Sequence, residues 1–134
     1  MMSFVAKVYN ANNELVASGT SMTIDYTDPW WTKWVVKNAA EAAEGTEYAG
    51  VMPEIQLRSG QQRYLFPKLY NTNGEYPTAL TWTFNFDDGE TGDTITGIQT
   101  GTDSSGNSYC VVSYSDVVVG GVSRKIIINA QTTL

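Results

Sequence analysis

The densest gathering of ionic side chains in this sequence is Asp87-Asp88-Gly89-Glu90-Thr91-Gly92-Asp93. It offers four carboxylates within seven residues, with two glycines that let the chain curl. Calcium takes about six to eight oxygen ligands, so Asp87, Asp88, Glu90 and Asp93 read as a candidate calcium loop. Asp116, in a loop expected at the same end of the sheet, would add a further oxygen. The spacing is not that of an EF-hand, which needs oxygens at alternating positions and a distant Glu. A solvated hairpin turn has the same composition. Paired carboxylates also serve glycoside hydrolysis, but there one of them needs a sheltered cleft that raises its pKa. A turn tip provides no such shelter, so a carboxylate-based hydrolase is the distant reading.

Other catalytic chemistry meets a plainer obstacle. The chain has no histidine and one cysteine, Cys110. Ser-His-Asp and Cys-His nucleophiles therefore cannot be built, and the usual proton shuttle near neutral pH is missing. Cys110 lies in an apolar mid-strand setting and reads as a buried structural thiol. Gly120-Gly121-Val122-Ser123-Arg124-Lys125 lacks the spacing of a phosphate-binding loop. A non-enzymatic role with no obligatory cofactor is expected.

Two further clusters point to binding. Tyr70, Asn71, Asn73 and Tyr76, with Asp103 and Asn107 from the turn 102–107, combine aromatic rings with amides and a carboxylate. A sugar site uses a ring to stack on and amides to meet hydroxyls, so these residues are candidate glycan contacts. The same types are also ordinary in turns. The second cluster is Trp30, Lys33 and Trp34, beside Trp31. Tryptophan dominates interface hot spots, which makes these three candidates for contact with a protein partner.

The elements that must position these groups follow from hydropathy. In Leu80–Asp88, Leu80, Trp82, Phe84 and Phe86 alternate with Thr81, Thr83, Asn85 and Asp87, the period of a half-buried strand. Further strands are expected near 4–9, 14–26, 53–58, 63–66, 93–100, 108–114 and 123–130, the last three as an antiparallel meander after the central strand. Residues 29–44 read differently. Asp28-Pro29 is a good helix start, Ala39-Ala40-Glu41-Ala42-Ala43-Glu44 favours helix, and Gly45 is a natural stop. On a helical wheel Trp31, Val35, Ala39 and Ala42 form the apolar stripe, which leaves Trp30 and Trp34 at its polar edge. An extended alternative turns Trp30, Trp34 and Val36 inward instead. The expected fold is mainly β (α+β): an antiparallel sandwich or barrel of about seven to eight strands with one amphipathic helix over 29–44.

Two stretches resemble each other. Val8–Glu14 matches Leu69–Glu75 at an offset of 61, and Met22–Asp28 matches Trp82–Asp88 at an offset of 60. One domain over 1–134, built on two related hairpins at about 4–28 and 64–88, accounts for this. Chance use of the same turn chemistry accounts for it too.

Composition narrows the partners. A net charge of −6 disfavours nucleic acid, whose phosphates need clustered lysine and arginine. No apolar run approaches the length of a membrane-spanning helix, and the N-terminus lacks the apolar core of a signal peptide. A cytoplasmic setting, or one inside a particle, is therefore expected over Sec-dependent secretion. The leading functional expectation is a non-catalytic structural, assembly or protein-binding module that associates with itself. The alternatives are a glycan-binding or a calcium-dependent binding module.

Overall fold

The computed structural model describes residues 2–9, 13, 15–16, 22–23, 29–49, 53–58, 60–71, 73–76, 80–86, 98–113 and 125–132, giving the backbone alone at 2, 3, 22, 23, 29, 30, 71, 76 and 86. It is mainly β. The strands are β1 (Met2–Tyr9), β2 (Leu15–Val16), β3 (Met22–Thr23), β4 (Pro29–Lys37), β5 (Thr46–Ala49), β6 (Ile55–Leu57), β7 (Gln62–Asn71), β8 (Gly74–Tyr76), β9 (Leu80–Phe86), β10 (Gln99–Thr102), β11 (Ser108–Ser113) and β12 (Lys125–Thr132). They form two sheets. The first runs β2-β1-β12-β9, with β6 also on β1; the second runs β10-β11-β7-β4-β3, with β5 on β4 and β8 on β7.

Period-two alternation places one face of each sheet inside. Along β12 every second residue is buried, which puts Ile126, Ile128 and Ala130 in the interior. β1 contributes Phe4, Ala6 and Val8 from the same sheet. Trp34 and Val36 of β4, Leu65 of β7, and Cys110 and Val112 of β11 meet them from the second sheet in one continuous core. This is sandwich packing, and no closed barrel forms among the described residues. A buried hydrogen bond joins the layers: Thr32 Oγ1 of β4 donates to the Val16 carbonyl of β2 at 2.9 Å.

Several expectations need correction. Residues 29–37 are a strand, not the start of a helix, and no helix occurs among the described residues. The burial alternation along β4 follows the extended alternative: Thr32, Trp34 and Val36 point in, while Trp31, Lys33, Val35 and Lys37 point out. Pairing on both sides, with β7 and β5, outweighs the helical preference of the alanine-rich tail. That tail, 38–45, is the connection between β4 and β5.

The strand over 80–86 does turn Leu80, Trp82 and Phe84 toward the core, but among the described strands it lies outermost on its sheet and pairs with β12. The centre belongs to β1 and β12, which run parallel with Phe4 opposite Ile126 and Ala6 opposite Ile128. The meander is broken for the same reason. β10 and β11 form a hairpin in the second sheet, and β12 crosses to the first. β6 and β7 likewise belong to different sheets and do not pair with each other. Pro67 sits inside β7, opposite Trp34, in the interval between the residues that pair β11 and those that pair β8. That gap in the ladder is where a residue without an N–H is tolerated.

Within the two stretches proposed as related, β1 pairs antiparallel with β2 in the first sheet and β7 with β8 in the second; residues 24–28 and 87–88 of the matched stretches lie outside the described residues. Asn13 and Gly74, equivalent at the offset of 61, both have positive φ, 63° and 125°.

Candidate functional site

The outward face of the second sheet concentrates the side chains best suited to binding. β4 and β7 run antiparallel there, so alternate residues of each come into register: Trp31 with Tyr70, Lys33 with Lys68, Val35 with Phe66, and Lys37 with Tyr64. β11 extends the rows with Val111 opposite Tyr64. Glu47 of β5, opposite Val35, and Glu75 of β8, opposite Tyr70, border the face.

The contacts make a lattice of rings and ammonium groups. Trp31 and Tyr70 stack with centroids 6.3 Å apart and planes 11° from parallel. Lys33 Nζ lies 5.3 Å from the centre of the Tyr70 ring, and Lys37 Nζ 5.0 Å from that of Phe66. Tyr109 meets Tyr64 edge-on at 5.2 Å and tilts over Phe66 at 5.3 Å. Phe66 is only 1% exposed although it points away from the interior, because these neighbours roof it. Tyr109 also lies across Gly101, where an added Cβ would come within 2.9 Å of the phenol oxygen. Lysines lying over rings present their alkyl stems sideways and their charge outward, so the face is both apolar and cationic.

The directly opposed pair Lys33 and Lys68 would repel, and the structure separates their roles. Lys68 Nζ pairs with Glu75 at 3.0 Å and donates to Asn107 Oδ1 at 2.8 Å, while Lys33 turns to Tyr70. Beyond Lys68 stands the β10–β11 turn. Asp103 Oδ1 accepts from the backbone N–H groups of Ser105 and Asn107, at 2.9 and 2.8 Å, and Asp103 Oδ2 accepts from Asn107 Nδ2 at 3.0 Å. The hydrogen bond from the Asn107 side chain, more than any other cause, holds the Asp103 carboxyl below its ordinary range. Ser104 donates its backbone N–H and its hydroxyl to Glu41, both at 2.7 Å, and so ties this turn to the 38–45 connection.

The Tyr70 phenol is pushed above its ordinary value, first by desolvation and then by the nearby carboxylates of Glu75 and Glu47. Its hydroxyl therefore stays a proton donor through neutral pH. The phenolic proton is held more tightly in the folded state, so this group stabilises the fold below about pH 10, and the contribution is lost as pH rises through the folded value. Glu75→Gln is expected to bring the Tyr70 midpoint down, as read by ultraviolet titration of tyrosinate.

Set against the sequence-derived candidates, Lys33 and Tyr70 lie on this face. Trp34 does not: it is 0% exposed in the core, because β4 is extended and residue 34 shares the inward parity of Thr32 and Val36. Trp31, expected in the core, takes the outward place. Of Trp30, Asn71 and Tyr76 the described structure gives the strand backbone, and their side chains lie outside it. Asp103 and Asn107 are close to the face but spend their hydrogen bonds on their own turn and on Lys68. Asn73 is exposed in the β7–β8 turn. The calcium candidates Asp87, Asp88, Glu90, Asp93 and Asp116 all lie outside the described residues. Among the described residues no three acidic, cysteine or histidine side chains are grouped to hold a metal. Burial pushes the Cys110 thiol far above its ordinary range, which keeps it protonated and unreactive.

The face also holds Trp31, which the sequence reading assigned to the core, and Lys37, Tyr64, Phe66 and Tyr109, which it did not name as binding candidates. The signal was there: in Trp31-Thr32-Lys33-Trp34-Val35-Val36-Lys37 and in Tyr64-Leu65-Phe66-Pro67-Lys68-Leu69-Tyr70, rings and lysines hold every second position except Val35.

No protein-family model matches the chain, and no curated protein or solved structure matches it either. Among the described residues no helix is long and apolar enough to cross a membrane.

Proposed function

We propose that this protein is a non-catalytic assembly module that binds protein, foremost further copies of itself, through the outer face of the second sheet. The observation that carries the reading is the in-register lattice of Trp31, Tyr70, Phe66, Tyr64 and Tyr109 with Lys33 and Lys37 laid over the rings. Tyrosine, tryptophan and phenylalanine are the residue types enriched where proteins meet. Stacking and roofing by neighbours hold these rings in place before any partner arrives, which limits the entropy lost on binding.

Charge favours a second copy as the partner. Lys33, Lys37 and Lys68 are three of the eight lysines and arginines of a chain whose net charge is −6. A locally cationic face on an anionic molecule is complementary to other parts of that same molecule, which suits a head-to-tail contact between subunits. The same net charge opposes a nucleic-acid strand on this face, despite its alternation of rings and lysines.

Light scattering on the purified protein at low and at high salt tests the reading. Assemblies larger than a monomer at low salt, shrinking as salt screens the lysines, are the expected result. A monomer at every concentration and salt level would sink it.

A further inference from the structure

The outer face of the first sheet carries a second, chemically different feature. Three strands lie side by side there, and their outward residues align in rows: Tyr9 of β1, Gln131 of β12 and Thr81 of β9, then Lys7, Asn129 and Thr83. Asn13, between β1 and β2, lies over one end, where its Oδ1 accepts a hydrogen bond from Gln131 Nε2 at 3.0 Å. Between them is a groove of about 320 Å³ lined by Ala130 and by the polar residues Tyr9, Asn13, Thr81, Thr83, Asn129 and Gln131. We infer that this groove is a binding site for a neutral saccharide.

Four observations lead there. None of the seven lining residues is charged, so among the described residues the groove has no fixed charge for a phosphate, a carboxylate or a metal ion. What it offers is amides and hydroxyls, each able to donate and accept, beside one phenol ring. A polyhydroxylated ring presents the complementary set: hydroxyls that donate and accept, and an apolar face of C–H groups to lie on an aromatic. The volume sits at the small end of the range for ligand pockets, about 300–1,000 Å³, which suits a short saccharide.

The fourth observation is Asn129. Its Oδ1 is buried, and no hydrogen-bond donor among the described residues reaches it. Buried side-chain oxygens are normally paired, and one left over at the floor of a groove is an acceptor in need of a donor. The terminal torsion of asparagine is broad, so a small turn of the amide presents it to a ligand hydroxyl. An extended peptide fits less well, because it would require free backbone groups. Here β12 is paired on both sides at Asn129 and Gln131, and only side chains remain for recognition. Lys7 stands beside Asn129 in the row without lining the groove, and an acidic sugar is the competitor it would favour.

The groove and the aromatic-lysine face lie on different sheets, so this inference does not depend on assembly. The test is a nuclear magnetic resonance titration of the full chain with a panel of neutral monosaccharides and disaccharides and, separately, a uronic acid. The side-chain NH₂ signals of Asn13, Asn129 and Gln131 serve as reporters. At least one neutral sugar is expected to shift these signals saturably at millimolar concentration. Asn129→Leu removes a stranded polar group, so its melting temperature should hold or rise while the shifts at Asn13 and Gln131 vanish. Thr83→Tyr, at an exposed position, fills the groove from the other side and should abolish them as well. The inference is overturned by silence across the neutral panel, by a response to the uronic acid alone, or by shifts that persist in both variants.

Discussion

Replacing Trp34 by alanine is expected to cost the fold about 3–5 kcal/mol, the range for deleting a large buried aromatic. Trp34 is 0% exposed and pairs through the backbone with Tyr48 and Pro67 in its own sheet. Its ring meets that of Trp82, from the opposite sheet, at 6.3 Å. The side chain thus fills the space between the layers, and alanine leaves a cavity that two hydrogen-bonded sheets close only in part. Against a total stability of about 5–15 kcal/mol for a typical domain, that is a large fraction. Urea unfolding followed by tryptophan fluorescence or circular dichroism measures it. Trp34→Phe is expected to cost much less than alanine. It keeps most of the ring volume and removes an indole N–H that is buried with no acceptor among the described residues. Had 29–44 been a helix with Trp34 at its polar edge, the alanine variant would scarcely differ from wild type.

Trp31, three residues earlier, should behave in the opposite way. Its ring is half-buried on the outer face and stacks on Tyr70, so alanine loses one aromatic pair, worth about 0.5–1.5 kcal/mol beyond area, and opens no interior void. Association should suffer more. A central aromatic in an interface contributes about 2 kcal/mol or more, roughly thirty-fold in Kd. The ring also shapes the site for its neighbours, since Lys33 is poised over the Tyr70 ring that Trp31 covers. Fold stability and assembly should therefore separate cleanly between two tryptophans of one strand.

That separation shows what the sequence made legible. The alternation of Leu80, Trp82 and Phe84 identified both a strand and its inward face, because period two is a local property. Local signals failed where tertiary pairing decides. Asp28-Pro29 and the alanine-rich 39–44 argue for a helix, yet β7 supplies a partner for seven consecutive residues, Trp31–Lys37, and the chain stays extended. Placement within a sheet was equally hidden. Nothing in Ile126-Ile127-Ile128 says that this segment will insert between β1 and β9, and nothing in Ile55–Leu57 says that it will leave its sequence neighbour β7 for β1.

The site was legible by type and misplaced by geometry. Lys33 and Tyr70 were named as binding candidates and share the outer face of the second sheet, but a helical reading of β4 kept Trp31 and Lys37 from joining them. Asp103 and Asn107 were suitable donors and acceptors whose capacity the β10–β11 turn uses internally. The amide groove of the first sheet escaped notice because it draws on β1, β9 and β12, where the lining residues Tyr9, Thr83 and Asn129 stand more than 40 residues apart along the chain.

Sedimentation equilibrium of Trp31→Ala beside wild type tests most directly whether the outer face of the second sheet drives assembly. The expected result is a shift of the mass distribution toward monomer, by a factor of roughly thirty in Kd, in a variant whose urea midpoint falls far less than that of Trp34→Ala. A Trp31→Ala protein that keeps its fold and still assembles as tightly as wild type would contradict the account.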